Sequence, residues 1–164
     1  MGVNMQLELR VASEVKDREG ARRARSFSSR ILTRLVKVPA LAWLSRHKVA
    51  LSVRLVGPAV MQKLNRRYRK KNKPTNVLSF PLFVPRELAR RKTKRGLMEL
   101  GDIVICPTII RKEAKVAKAS YYQQFFWILA HGILHTLGYD HERTARERRA
   151  MERLEQHLRR SFRP

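Results

Sequence analysis

The stretch YYQQFFWILAHGILHTLGYDH, residues 121–141, is mostly apolar and carries three of the five histidines in the chain. Its apolar periodicity predicts a helix, which Gly138 can terminate in a left-handed conformation. Residues four apart lie on one face of a helix, so the imidazoles of His131 and His135 can point at the same ion. The turn after Gly138 can then bring His141 back as a third ligand.

A lone histidine in an apolar helix is more often a hydrogen-bonded core residue than a ligand. His131 and His135, however, lie together among apolar neighbours, where each unpaired polar group would cost about 1 to 3 kcal/mol. Metal ligation removes that cost, and three ligands with an open fourth position are typical of a catalytic zinc site. His47 and His157 lie outside the pattern, and we interpret them as surface residues.

The spacing of the three histidines resembles that of the metzincin peptidases, with one change. Gly132 stands where those enzymes have a glutamate that acts as general base, which disfavours peptide hydrolysis. An ion held by three neutral imidazoles keeps its full charge and suits phosphodiester hydrolysis. Asp140 could orient an imidazole, assist the attacking water or cap the C-terminal helix, and the structural roles are favoured.

The composition indicates one globular domain over residues 1–164 and an anionic partner. The chain has 37 Lys and Arg against 13 Asp and Glu, a net charge of +24, so a polyanion is the expected partner.

No stretch approaches the roughly 20 apolar residues of a spanning helix, and the N-terminus shows no secretory signal. Cys106, the one cysteine, is interpreted as a core residue in a reducing compartment, and we expect a cytoplasmic protein.

Along the whole chain, the hydrophobic patterns predict alternating strands and helices. The predicted strands are residues 5–11, 49–56, 76–80 and 100–106, and the last two are expected to stop at a proline. The predicted helices cover residues 27–36, a segment opened by Gly57-Pro58, 107–117, 121–137 and 144–158.

The loop at residues 86–95 contains six basic residues and one Glu. Two interpretations remain open, namely a solvated surface excursion and an arm that contacts phosphates.

Three segments carry a resemblance to a known family. Residues 131–141 resemble, nearly letter for letter, the His-Gly-x-Leu-His-x-x-Gly-Tyr-Asp-His signature of the YbeY family of bacterial rRNA-maturing metallo-endoribonucleases. Residues 64–81, LNRRYRKKNKPTNVLSFP, resemble its Asn-x-x-Tyr-Arg and Pro-Thr-Asp/Asn-Val-Leu-Ser-Phe-Pro segments. Residues 100–103, LGDI, resemble its Leu-Gly-Asp-Ile strand. The order of the segments also matches, over about residues 49–158.

The resemblance implies an α+β fold in which about five helices pack on a mixed, roughly four-stranded sheet. It implies one zinc ion held by His131, His135 and His141 on and after a core helix, in a metzincin-like arrangement. By position, Arg69 matches the family's functional arginine and is expected to hold the scissile phosphate or to stabilise its transition-state charge. We expect Lys70 and Lys71, which follow it, to contact the substrate as well.

The activity implied is zinc-dependent cleavage of single-stranded RNA, in maturing the 3′ end of 16S rRNA and in ribosome quality control. The implied partners are the 16S rRNA precursor and the ribosome or its small-subunit proteins, and no membrane. The attacking group, water or the RNA 2′-hydroxyl, stays open. The alternative is a ribosome-associated RNA-binding factor with a structural zinc, which would bind RNA without cutting it.

Overall fold

The computed structural model describes residues 5–83, 87–88, 90 and 96–162. Four strands lie within these residues: β1 (Gln6–Ser13), β2 (His47–Leu55), β3 (Val77–Pro81) and β4 (Gly96–Ile105). The chain also forms the α-helices α1 (Arg18–Leu35), α2 (Pro58–Arg69), α3 (Pro107–Val116), α4 (Tyr121–Thr136) and α5 (Ala145–Ser161), and residues 87, 88 and 90 are helical too. A 3₁₀ helix, Pro39–Arg46, joins α1 to β2.

The strands form one mixed sheet in the order β1-β2-β4-β3. β1 is parallel to β2 and β2 to β4, whereas β3 is antiparallel to β4 and lies at the edge. Pro81 is the last residue of β3, a position that an edge strand tolerates because no further strand needs its missing N–H group. The predicted α+β class, with helices packed on a mixed four-stranded sheet, is confirmed.

Helix α4 is the central helix of the core. Phe125, Leu129 and Ile133 are completely buried on it, and it packs against β3, β4, α1, α3 and α5. Burial on nearly all sides explains its apolar sequence, because a helix that faces water on one side would carry a polar stripe there. Among the described residues, no helix has an apolar run long enough to cross a membrane.

Gly101 allows strand β4 to bend beside β3. It has φ +119°, and a Cβ atom there would come within 2.1 Å of the Phe80 carbonyl oxygen. The register between β2 and β4 also shifts at this point, between Ala50 and Ser52, as in a β-bulge. Only glycine fits both the conformation and the close approach.

We therefore expect Gly101→Ala to lower the free energy of unfolding by about 2 kcal/mol, because overpacking and a strained φ act together. Urea unfolding measures it, with Gly96→Ala as the matched control. Gly96 also has a positive φ, but a Cβ atom would meet no atom within 4 Å. Equal losses in the two variants would show that the close approach to Phe80 contributes nothing.

Two predicted elements, α1 and β4, begin earlier in the structure than the sequence pattern indicates. Helix α1 begins nine residues before Phe27, because the Asp17 carboxylate caps it by accepting a hydrogen bond from the Gly20 amide at 2.8 Å. β4 begins at Gly96 rather than Leu100. In the basic segment 86–95, only residues 87, 88 and 90 are described, so the two interpretations of that loop fall outside the described residues.

Candidate metal centre

The structure brings the three predicted histidines together. His131 and His135 lie on the last turns of α4, and their Nε2 atoms are 3.1 Å apart. One ring nitrogen from each of His131, His135 and His141 lies within 4.8 Å of the others. Gly138 has φ +87° and turns the chain after α4, as predicted.

The turn that carries His141 is fixed by backbone hydrogen bonds. The Tyr139 amide donates to the Leu134 carbonyl at 3.1 Å, and Arg148 Nε on α5 donates to the His141 carbonyl at 3.2 Å. The turn is therefore tied to α4 through Tyr139 and to α5 through the His141 carbonyl.

Glu155 on α5 orients the ring of His131. Its Oε1 lies 2.9 Å from His131 Nδ1, and this hydrogen bond is the main reason why the pKa of Glu155 is lowered. A carboxylate can only accept, so we assign the proton to Nδ1. The Nε2 lone pair of His131 then points toward His135 and is available to a metal ion.

His135 is held in its neutral form. Burial, followed by the charges of His131 and His141, lowers its pKa to about 4. At neutral pH this imidazole therefore carries a free lone pair, which is the form that binds metal.

The donor set fits a metal ion such as zinc. His141 Nδ1 is buried and has no hydrogen-bond partner among the described residues. The Nε2 atoms of His131 and His135 face each other. The hydrogen bond to Glu155 places the His131 proton on Nδ1, so His131 Nε2 carries a lone pair that a metal ion can accept. Three convergent imidazoles with one carboxylate behind them are a common zinc-binding arrangement.

The histidines form one wall of a cleft of about 1060 Å³. Its other walls mix aromatic, basic and acidic side chains. They include Tyr68, Arg69, Phe80, Trp127, Arg148, Glu152 and Arg159.

Arg69 lies in this cleft, as the sequence suggested. Its Nη2 atom is 3.3 Å from Glu142 Oε1, and both side chains are largely exposed. Glu142 directly follows His141, so the guanidinium lies beside the third histidine. Lys70 and Lys71 are exposed but do not line the cleft. Lys70 has φ +58° and ends α2.

Asp140 does not cap the C-terminal helix, which was one of the three roles left open for it. Thr144 is the cap, with its hydroxyl accepting from the Glu147 amide at 3.1 Å. Asp140 instead accepts from the Glu142 amide at 2.9 Å and pairs with Arg143 at 3.1 Å. It stabilises the turn after His141, whereas Glu155 is the carboxylate that hydrogen-bonds to an imidazole, that of His131.

Sequence reasoning missed Glu155, although a signal was present. Met151, Leu154 and Leu158 form the buried stripe of α5, and Glu155 lies four residues after Met151, at the border of that stripe. An acidic side chain beside an apolar face requires a partner, and α4 supplies it.

Gly132 faces the sheet. Its carbonyl accepts from the Ser79 hydroxyl at 3.3 Å, and a Cβ atom would lie 3.1 Å from Ile103 and 3.2 Å from Ser79 Oγ. A glutamate at this position would meet β3 and β4. A side chain at this position would therefore have to displace Ile103 and Ser79, which disfavours the general base of the peptidases here.

His47 is not a surface residue, contrary to expectation. It is only 5% exposed, and its Nδ1 lies 3.0 Å from the Trp43 carbonyl. The unpredicted 3₁₀ helix places Trp43 over the imidazole. His157 is exposed, as expected.

Comparison with known proteins agrees with the geometry. The family model for endoribonuclease YbeY matches residues 14–163. An endoribonuclease YbeY from Thermodesulfovibrio yellowstonii is 33% identical over 95% of this chain and 100% of that protein. One from Alkalilimnicola ehrlichii is 43% identical over 66% of this chain and 62% of that protein.

The fold also has a solved counterpart. A solution structure from Thermotoga maritima superimposes with a TM-score of 0.53 at 23% identity, covering 92% of this chain and 88% of that one. The fold and the sequence matches agree, and the chain therefore belongs to the YbeY family of endoribonucleases, which are hydrolases that act on RNA.

Proposed function

We propose that this chain is a zinc-dependent endoribonuclease that cuts single-stranded RNA, and that residues 1–164 act as one domain. The observation that supports it most is the convergence of His131, His135 and His141 on one wall of an open cleft. A zinc ion bound there would supply a Lewis acid for the phosphoryl oxygen and would activate water. A purely structural zinc would more typically have four protein ligands.

The cleft suits a single strand because both aromatic and basic side chains line it. Tyr68 is 54% exposed, and its ring packs edge-on against Phe80 at 4.9 Å. Trp127 also lines the cleft, and the guanidinium of Arg159 lies over its ring. Unpaired bases stack on such rings, whereas the bases of a duplex are already stacked on each other.

Arg69 is proposed to hold the scissile phosphate. A planar guanidinium can bind two phosphate oxygens at once, and Arg69 lines the same cleft as the histidines, which supports a role at the reacting bond. In the free protein Glu142 satisfies this guanidinium. Because that pair is exposed, exchanging Glu142 for a phosphate costs little.

We further propose that the substrate is the 3′ end of the 16S rRNA precursor, cut on the ribosome in the cytoplasm, with a role in ribosome quality control. The net charge of +24 supports binding to a dense polyanion such as a ribosomal particle. Lys70 and Lys71 are proposed to contact RNA outside the cleft.

The assignment of Arg69 is tested with a labelled RNA hairpin that carries a single-stranded tail. We expect Arg69→Ala to lower kcat/KM about a hundredfold, as for other groups that bind transition-state charge, without changing zinc content. Arg66→Ala, at an exposed position on the same helix that does not line the cleft, is the matched control. Cleavage should fall in the tail only, and cuts within the duplex or equal rates for the two variants would contradict the proposal.

A further inference from the structure

The outer face of α5 carries a row of arginines that the cleft does not use. Arg146, Arg149, Arg153 and Arg160 are all exposed, and we call them the arginine ridge. Their spacing of three, four and seven residues places them on one side of the helix. The core residues of α5, such as Met151 and Leu154, lie on a different side.

The ridge lacks the ion pairs that other arginines of the chain make. Arg23 pairs with Glu19 at 2.7 Å, and Arg111 pairs with Asp17 at 3.1 Å. In the described part of the chain, no carboxylate lies within ion-pair distance of a ridge guanidinium. The acidic residues Glu152 and Glu155 of α5 face the cleft instead.

Such an arrangement is unfavourable for the free helix. Like charges three or four residues apart repel, and the effect is relieved only by an anion from outside. From Arg146 to Arg153 the ridge runs about 10 Å along the helix axis, so several phosphates of one nucleic-acid backbone can reach it together.

Helix α5 contains no Phe, Tyr or Trp, and this indicates which form of RNA the ridge fits. Single strands are bound through base stacking on aromatic rings, as the cleft offers, whereas a duplex presents only phosphates, 2′-hydroxyls and base edges. Arginine alone suits the backbone of a duplex.

We propose that the arginine ridge binds the backbone of an RNA duplex that flanks the single strand lying in the cleft. This inference rests on the proposed function, since it assumes that the cleft takes RNA. The preferred substrate is then a junction, with a helix on α5 and an unpaired segment at the histidines. The ridge adds affinity for the helical part without contacting the reacting bond.

The test compares two RNAs by fluorescence anisotropy with the zinc-loaded full chain. One is a single strand of about 12 nucleotides, and the other is the same strand joined to a hairpin of about 12 base pairs. The single-stranded part of both carries 2′-O-methyl phosphorothioate linkages, so that binding is measured without cleavage.

The ridge variant is Arg149→Glu with Arg153→Glu. The control is Lys112→Glu with Lys115→Glu, which reverses two exposed charges three residues apart on α3. We expect the ridge variant to bind the hairpin RNA about tenfold more weakly than the control, with a log-log salt slope smaller by about two. The two variants should bind the single strand equally, and circular dichroism should show both folded.

Equal loss of hairpin binding in the two variants would overturn the proposal, and so would a ridge effect of the same size on the single strand. Because binding is measured without cleavage, this result is separate from the activity. If the ridge variant loses only hairpin binding but the wild type cuts no RNA, the ridge proposal stands and the proposed endoribonuclease activity is rejected.

Discussion

His135→Ala is expected to lower zinc affinity by more than about a hundredfold and to reduce RNA cleavage to the level of metal-free protein. The loss exceeds the cost, about 10- to 100-fold, of removing a residue that only hydrogen-bonds to a ligand, because His135 binds the metal itself. His135 is the middle histidine in the sequence, and its Nε2 lies 3.1 Å from that of His131. Its neutral form at pH 7 makes it a ready ligand. Zinc content by atomic absorption and cleavage of a tailed hairpin measure the two effects.

The same variant should stay folded and keep its RNA affinity. The core around α4 is built from apolar side chains such as Phe125, Leu129 and Ile133, all fully buried, and does not depend on an ion. The exposed arginines and lysines that bind phosphates are untouched. His157→Ala, at an exposed position, is the control.

His135→Ala also separates the two functions that the sequence left open. A structural zinc predicts that the variant unfolds or melts far below the wild type. Metal-independent cleavage by the folded variant would instead remove the histidines from the reaction altogether.

Glu155→Gln is expected to lower zinc affinity about 10- to 100-fold, the usual cost of losing a carboxylate behind a ligating imidazole. The amide has nearly the same shape but carries no charge, so it fixes the Nδ1 proton of His131 less strongly. Chelator competition at pH 7 measures the affinity. Cleavage at saturating zinc should recover most of its rate, because Glu155 positions a ligand and does not contact the substrate.

Glu152→Gln is the matched control, since Glu152 also faces the cleft from α5 and has no ion-pair partner among the described residues. We expect its zinc affinity to equal that of the wild type. If Glu155→Gln and Glu152→Gln bind zinc equally well, the hydrogen bond at 2.9 Å to His131 has no role in holding the metal.

The parts of the site that lie close together in sequence could be predicted. The four-residue spacing of His131 and His135 follows from helix geometry, and Gly138 marks the turn that returns His141. Glu155 could not be placed in the same way, because its contact depends on how α5 packs against α4. That packing is fixed by tertiary contacts rather than by local spacing.

The fold likewise has parts that local sequence patterns predict and parts that depend on contacts between distant segments. The apolar pattern predicts α1 from Phe27 onward, whereas the buried face of the helix begins earlier and includes Gly20 and Ala24. Small residues give little hydrophobic signal, yet here they allow close packing, since a Cβ atom at Gly20 would lie 2.9 Å from Leu55. The strand order β1-β2-β4-β3 likewise depends on pairings between distant segments, which periodicity does not encode.

The central claim is that the three histidines hold a metal ion that the chain needs to cut RNA. The most direct test is cleavage of a single-stranded RNA with a 16S 3′ precursor end by three samples: wild type, chelator-treated wild type before and after zinc is restored, and His135→Ala. We expect zinc-loaded wild type alone to cut, with activity lost on chelation and regained with zinc. Cleavage that survives chelation, or binding without cleavage in every sample, would contradict the claim.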